Sequence, residues 1–117
     1  SLDDLRAARE ATAGVTVSEP LRTYATRLAT YTREHAELGV SPRGTIALLR
    51  AAQARAVLDG RSYVIPDDVK AEVPAVLTHR LVLTPDATVA DTTRADVVED
   101  VLASVPVPTV AEAAAPE

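Results

Sequence analysis

Apolar residues recur at three- and four-residue spacing along much of this chain, a periodicity that predicts α-helices. Residues 2–13 form a weakly amphipathic helix that Gly14 is expected to end, followed by the extended "VTV" segment. Ser18 is then a typical N-cap for an amphipathic helix over residues 19–36. The apolar stripe of that helix consists of Leu21, Tyr24, Leu28, Tyr31 and His35.

The stretch after Gly39 predicts a central helix. Ser41 is a second N-cap, Pro42 occupies the first helical position, and Gly60 is placed for a left-handed C-cap after about Asp59. The apolar positions cover more than one face, so we expect this helix to be packed on several sides. These positions are Ile46, Leu48, Leu49, Ala51, Ala52, Ala56, Val57 and Leu58.

The next segment predicts a short extended link over residues 61–65 and then a new helix opened by Pro66, Asp67 and Asp68. Pro74 lies inside this helix and removes a backbone hydrogen bond. We therefore expect a kink, or two short helices, within residues 67–79. The apolar side of the segment consists of Val69, Val73, Val76 and Leu77.

The last third predicts an extended "LVLTP" segment, a polar loop over residues 86–92 and a final helix from about Thr93 to Ser104 that "VPVP" ends. Together these elements predict an all-α fold, a compact bundle of five to six helices with little or no sheet. We expect one domain over residues 1–108. Residues 109–117 have low complexity and are predicted to be a disordered tail.

Composition excludes several classes of protein. The 117 residues suit one domain, and 47% hydrophobic with 25% charged residues is typical of a globular protein. A net charge of -5 disfavours binding to nucleic acid or to an anionic membrane. The chain has no cysteine, which excludes disulfides, thiolate metal sites and a cysteine nucleophile, and fits a cytoplasmic location.

The sequence also lacks the patterns of a membrane span and of two nucleotide-binding motifs. No apolar run approaches the roughly 18 residues of a membrane span, so no membrane insertion is expected. Neither a P-loop motif nor a dinucleotide-binding glycine motif is present. We therefore predict that this chain alone is not a P-loop enzyme.

Arg43 is the sharpest candidate for chemistry. It lies in the first turn of the predicted central helix, where free backbone N–H groups and the helix dipole favour an anion. A guanidinium there is a bidentate ligand for phosphate. On these residues alone, an ordinary solvated arginine that follows Ser-Pro is the more common interpretation.

The other polar candidates have simpler interpretations. The spacing of His35 and His79 is not that of metal ligands, so we predict no metal site. We expect His35 to be a half-buried structural residue on the apolar stripe of its helix. His79 is expected at a helix end, where a cation interacts favourably with the helix dipole. Asp67 and Asp68 are expected to open a helix and not to form an acid-base pair. We predict that Arg50, Arg55 and Arg61 form a solvated edge of the domain and not a nucleic-acid-binding stripe. The three tyrosines are too few and too dispersed to form a surface on which bases stack; they are Tyr24, Tyr31 and Tyr63.

In combination these motifs resemble a known family. The segment from Leu38 to Leu83 closely resembles the C-terminal lid domain of MoxR-type AAA+ ATPases, and the likeness extends to about Pro108. The residues that carry it, in order and spacing, are Gly39, Ser41, Pro42, Arg43, Gly60, Arg61, Tyr63, Val64, Pro66, Asp67, Asp68, Val69, His79, Arg80 and Leu81.

The resemblance implies a role for the start of the central helix. In this family ATP with Mg²⁺ binds between a P-loop core domain and the lid, and Arg43 matches the sensor-2 arginine that reaches the β- and γ-phosphates. Ser41 and Pro42 would flank the nucleotide with it. Gly44 stands where we expect alanine and could loosen the presentation of Arg43.

The resemblance also implies partners. The parent protein would be an ATP hydrolase of the bacterial type, whose lid contacts its own core domain and neighbouring subunits of a ring, expected to be a hexamer. Such parents are chaperone-like machines that assemble other complexes, often with von Willebrand factor A proteins.

Two other functions remain open from the residues. One is a stand-alone helical protein-interaction module without a nucleotide role, in which an apolar face such as Val97 to Leu102 binds a partner helix. The other is a helical DNA-binding domain, against which the acidic charge argues.

Overall fold

The computed structural model describes residues 1–38, 41–83 and 85–109, without the side chains of residues 34–38, 82 and 87. The all-α prediction is confirmed. The described helices are α1 (Leu2–Ala13), α2 (Glu19–His35), α3 (Pro42–Leu58), α4 (Pro66–Leu77), α5 (Pro85–Val89) and α6 (Arg94–Ser104). The predicted turn at Gly39 and nearly all of the predicted tail lie outside the described residues.

Helices α1 and α2 begin where the sequence predicts, but their caps differ. Ser1 caps α1, because its hydroxyl accepts a hydrogen bond from the Asp4 N–H at 3.2 Å. At α2 the carbonyl of Ser18 accepts the first helical hydrogen bonds, whereas its buried hydroxyl has no partner among the described residues. The reason is local, since Pro20 has no N–H and the Leu21 N–H bonds to the Ser18 carbonyl.

Helix α3 ends in a Schellman motif, as the glycine predicted. Gly60 has a left-handed φ of 73°, the Gly60 N–H donates to the Val57 carbonyl at 2.9 Å, and the Arg61 N–H donates to the Ala56 carbonyl at 2.8 Å. The helix contacts α1, α2 and α4, so it is packed on several sides. Its fully buried positions nevertheless form one stripe, consisting of Gly44, Leu48, Ala52 and Ala56.

Helix α4 runs unbroken through Pro74, so the alternative of two short helices is wrong. The buried side chains Val69, Val73 and Leu77 lie on both sides of the proline and hold the helix together by packing. Pro74 itself is exposed. A 3-10 turn at Thr78–Arg80 extends the helix end.

Two short elements outside the main helices were not predicted from the sequence. Strand β1 (Ala36–Leu38) pairs antiparallel with β2 (Val82–Leu83), a minimal sheet. The predicted polar loop over 86–92 is wrong in its first half, where α5 forms. Pro85 at the first helical position and Asp86 in the first turn explain this start.

Helices α2, α3, α4 and α6 enclose the core, and α1 packs on α3. The core contains aliphatic side chains and one aromatic ring, that of Tyr24. Tyr31 links two of the helices, because its hydroxyl donates to Asp100 of α6 at 3.1 Å. The structure thereby confirms that the stripe of α2 faces inward, although the His35 side chain lies outside the described part.

Tyr24 gives a prediction about alkaline stability. Its side chain is 1% exposed, its hydroxyl has no partner among the described residues, and burial raises its pKa above the ordinary value of 10.0. Above that pH the unfolded chain releases the phenol proton while the folded chain keeps it. The free energy of unfolding therefore falls as pH rises from about 10 toward the folded-state pKa.

We expect Tyr24→Phe to remove this contribution to the alkaline decline. At neutral pH the variant should be as stable as wild type or slightly more stable, because it loses only a hydroxyl without a partner. Urea denaturation at neutral pH and above pH 10 measures both effects, with the half-exposed Tyr63→Phe as control. A loss of more than about 1 kcal/mol at neutral pH would show that the hydroxyl is hydrogen-bonded.

Candidate functional site

The start of α3 leaves several hydrogen-bonding groups uncommitted. Ser41 is the N-cap residue, but its hydroxyl makes no cap hydrogen bond, and Pro42 occupies the first helical position. Arg43 follows as an exposed residue, and neither its backbone N–H nor its guanidinium has a partner among the described residues. The helix dipole adds partial positive charge to these donors. This end of α3 is therefore suited to an anion.

Gly44 closes the first turn of α3 and is buried. Its N–H donates to the Ser41 carbonyl at 2.9 Å, so the turn is regular despite the glycine. A buried position in a first turn favours a residue without a large side chain. The expectation that Gly44 loosens the presentation of Arg43 stays a prediction.

Arg61 is where the sequence analysis was wrong. It is not part of a solvated edge, because its guanidinium makes a bidentate ion pair with Asp68, with both N–O distances at 2.7 Å. The Asp68 side chain is 3% exposed and that of Arg61 is 19% exposed. The same guanidinium donates to the Tyr63 carbonyl and to Asp59, at 3.0 Å each.

Asp68 also lies in the first turn of helix α4. Its carboxylate accepts a hydrogen bond from the Ile65 N–H at 2.9 Å, so the residue is a helix-start acid as predicted and a buried ion-pair partner as well. The hydrogen bonds from Arg61 to Asp68, with Asp59 adding to them, raise the pKa of the guanidinium. The guanidinium of Arg61 therefore keeps its positive charge. Its ion pair with Asp68 fixes the C-terminal end of α3 against the N-terminal end of α4.

Residues 61–65, which connect α3 to α4, also form backbone hydrogen bonds with the segment before α2. The Thr16 N–H donates to the Ser62 carbonyl, and the Val64 N–H donates to the Thr16 carbonyl, both at 2.9 Å. Thr16 and Tyr63 form a parallel β-bridge there. A sequence signal for this junction was present in two short motifs, Gly-Arg-x-Tyr-Val over residues 60–64 and Asp-Asp-Val over residues 67–69. Their spacing alone does not reveal that the arginine of one binds the second acid of the other.

The remaining candidates are surface residues or helix ends. Arg50 and Arg55 are exposed as predicted, and Arg55 Nε lies 3.7 Å from a Glu72 carboxylate oxygen. His79 is exposed in the 3-10 turn, and Arg80 donates to the Val76 carbonyl at 2.9 Å, which satisfies a carbonyl at the end of α4. The described residues of the chain contain no group of three potential metal-ligating side chains.

None of the helices in the described ranges combines the length and apolar character that a bilayer crossing requires.

Comparison with known proteins identifies the family. The AAA lid domain family matches residues 28–101, a range that includes Arg43 and the Arg61–Asp68 ion pair. The uncharacterized protein YeaC of Bacillus subtilis is 41% identical over 96 residues, which cover 80% of this chain and 30% of YeaC. Chaperone MoxR1 of Mycobacterium tuberculosis is 36% identical over 121 residues, covering 94% of this chain and 32% of MoxR1.

A solved structure has the same fold. A Cytophaga hutchinsonii protein considered to be an ATPase superposes with a TM-score of 0.79 at 28% identity, covering 86% of this chain and 34% of that chain. The chain therefore spans about a third of the length of each of these proteins. The chain belongs to the AAA lid domain family and is the lid domain of a MoxR-type AAA+ ATPase.

Proposed function

We propose that this domain closes over ATP in a longer parent protein and presents Arg43 to the β- and γ-phosphates as a sensor-2 arginine. The observation that carries the proposal is the start of α3, where an exposed guanidinium, a backbone N–H and the Ser41 hydroxyl are all without partners in the described structure. These groups bind an anion only when one is supplied from outside the domain.

The chemistry follows from this arrangement. A bidentate guanidinium neutralises charge on the phosphates of bound ATP and on the γ-phosphoryl group as it leaves. ATP and Mg²⁺ would be held chiefly by the core domain of the parent, because this lid supplies one arginine and one helix start. The γ-phosphate is lost on hydrolysis, so the contact with Arg43 can couple the nucleotide state to the angle of the lid.

The rigid ion pair between Arg61 and Asp68 supports such coupling. A lid transmits a force on Arg43 to the rest of the domain only if α3 and α4 move together. The buried pair connects these helices at the end of α3 opposite Arg43. We propose that the parent is a ring-forming, chaperone-like ATP hydrolase, with a hexamer and von Willebrand factor A proteins as the expected assembly and partners.

Nucleotide affinity tests this assignment in the full-length parent. We expect Arg43→Ala to weaken binding of a non-hydrolysable ATP analogue by roughly ten-fold while changing ADP binding much less, since loss of one charged hydrogen bond costs about 1.5–3 kcal/mol. Arg27→Ala, which removes an exposed arginine of α2, is the matched control. Equal weakening for both nucleotides, or none, would contradict a contact with the γ-phosphate.

A further inference from the structure

A cleft lies between α1 and α3, away from the buried core. Its volume is about 720 Å³, and it is lined by Ala8, Arg9, Thr12, Ala13, Arg50 and Gln53. We call this surface the α1–α3 cleft. Its floor is made mostly of small residues, so a further segment of chain has room to enter it. The two arginines are exposed and have no hydrogen-bond or ion-pair partner among the described residues.

Other polar groups of the cleft are already occupied. The Thr12 hydroxyl donates to the Ala8 carbonyl at 3.0 Å, and the Gln53 side-chain amide donates to the Val15 carbonyl at 2.9 Å. The second bond ties the end of α1 to α3. Gln53 keeps a second amide N–H, but the charged donors left for a ligand are the guanidinium groups of Arg9 and Arg50, whose chemistry selects carboxylates or phosphates.

Helix α1 has few contacts of its own for its length. None of its residues is fully buried, and Leu2 and Leu5 are 73% and 50% exposed. A helix of 12 residues is marginal without tertiary packing. The spacing of Leu5, Ala8 and Thr12 places an exposed apolar side chain on the same helix face as the cleft. An occupant that covers this face would stabilise α1.

We propose that the α1–α3 cleft binds an acidic protein segment, one that offers two carboxylates to Arg9 and Arg50 and an apolar side chain to Leu5. The inference goes beyond the proposed nucleotide role and does not depend on it. Charge complementarity within the cleft carries it, because Arg9 and Arg50 both line the cleft and neither has an ion-pair partner among the described residues.

A nucleic acid fits the same cleft less well. Asp3, Asp4 and Glu10 lie on the same helix as Arg9, and they would repel the continuous row of phosphates that a nucleic acid presents. A peptide with two carboxylates brings fewer negative charges to the cleft and therefore meets less of that repulsion. No tyrosine lines the cleft in the described structure, so no stacking surface for bases accompanies the arginines.

Peptide titration of the ¹⁵N-labelled chain tests the proposal. The probe is acetyl-Glu-Leu-Glu-Glu-Leu-Glu-amide, and its control is the same peptide with every glutamate replaced by glutamine. We expect saturable shifts of the amide resonances of Ala8, Thr12 and Gln53, which weaken as salt is added. The glutamine peptide should bind at least about ten-fold more weakly, as two charged contacts are lost.

Variants separate the cleft from general charge attraction. Arg9→Ala combined with Arg50→Ala should weaken the glutamate peptide by at least about ten-fold, whereas Arg27→Ala, on α2, should leave its affinity unchanged. Both exposed substitutions should preserve the circular dichroism spectrum. The proposal is overturned if the glutamate peptide gives no saturable shifts, if both peptides bind equally, or if the double variant still binds. Tighter binding of an oligo-thymidine at the same resonances would also overturn it.

Discussion

Replacing Arg43 by alanine is expected to lower ATP turnover by the full-length parent roughly ten-fold or more at saturating Mg-ATP, if Arg43 has the proposed role. Loss of one hydrogen-bond donor that stabilises charge in the transition state typically lowers kcat by ten-fold or more. A ten-fold fall corresponds to an increase of about 1.4 kcal/mol in the activation free energy. Arg43→Lys keeps the charge but loses the planar pair of donors. Its turnover should fall between those of the wild type and the alanine variant.

The stability of the domain should not change with Arg43. The residue is exposed and has no partner in the described structure, so Arg43→Ala is expected to alter the free energy of unfolding by less than about 0.5 kcal/mol. Arg27→Ala is the control for turnover, with wild-type activity expected. If turnover of Arg43→Ala matched wild type, Arg43 would be an ordinary surface arginine and the nucleotide role would be wrong.

Replacing Asp68 by alanine destabilises this chain by about 2–4 kcal/mol. Removal of one partner from a buried ion pair leaves the other charge uncompensated. Here the Arg61 guanidinium loses both of its 2.7 Å contacts with the carboxylate, and the Ile65 N–H loses its acceptor. Since Arg61 keeps contacts with Asp59 and the Tyr63 carbonyl, the loss is smaller than for a fully enclosed pair.

The neighbouring residue supplies the control for this measurement. Asp67→Ala removes an exposed carboxylate from the same helix turn, so only its favourable interaction with the helix dipole, about 0.3–1 kcal/mol, is lost. Urea denaturation of both variants gives the comparison, and thermal melting should show Asp68→Ala lower by roughly 10 °C. Equal stability of the two variants would mean that the Arg61–Asp68 pair contributes nothing net.

Local signals in the sequence were sufficient for most of the fold. Strong periodicity, proline at first helical positions and Gly60 predicted the bounds of α2, α3 and α6 to within about two residues. The position of Arg43 in the first turn of α3 could also be predicted, because Ser-Pro before it marks the helix start. That position depends on the nearest few residues alone.

Tertiary contacts explain what the sequence did not show. Arg61 resembles any polar residue after a helix until α4 packs beside α3 and brings Asp68 to it. Pro74 predicts a break, but the buried side chains on either side keep α4 continuous. Ser18 fits an N-cap, yet Pro20 removes the N–H that its hydroxyl would bind. For Arg61 and Pro74 a contact outside the local pattern decides the outcome, whereas the Ser18 cap is decided locally by Pro20.

The most direct test of the nucleotide role is a distance within the full-length parent. This chain has no cysteine, so once any cysteines elsewhere in the parent are replaced by serine, single cysteines at the exposed residues Ile46 and Leu58 can each carry a spin label near opposite ends of α3, roughly 18 Å apart. Electron paramagnetic resonance then measures the distance from each label to Mn²⁺ bound with ATP in place of Mg²⁺. We predict that Ile46 is the nearer position by more than about 10 Å, because the proposed function directs the Arg43 end of the helix toward the phosphates. If Leu58 were as near as Ile46, or nearer, the account would be contradicted.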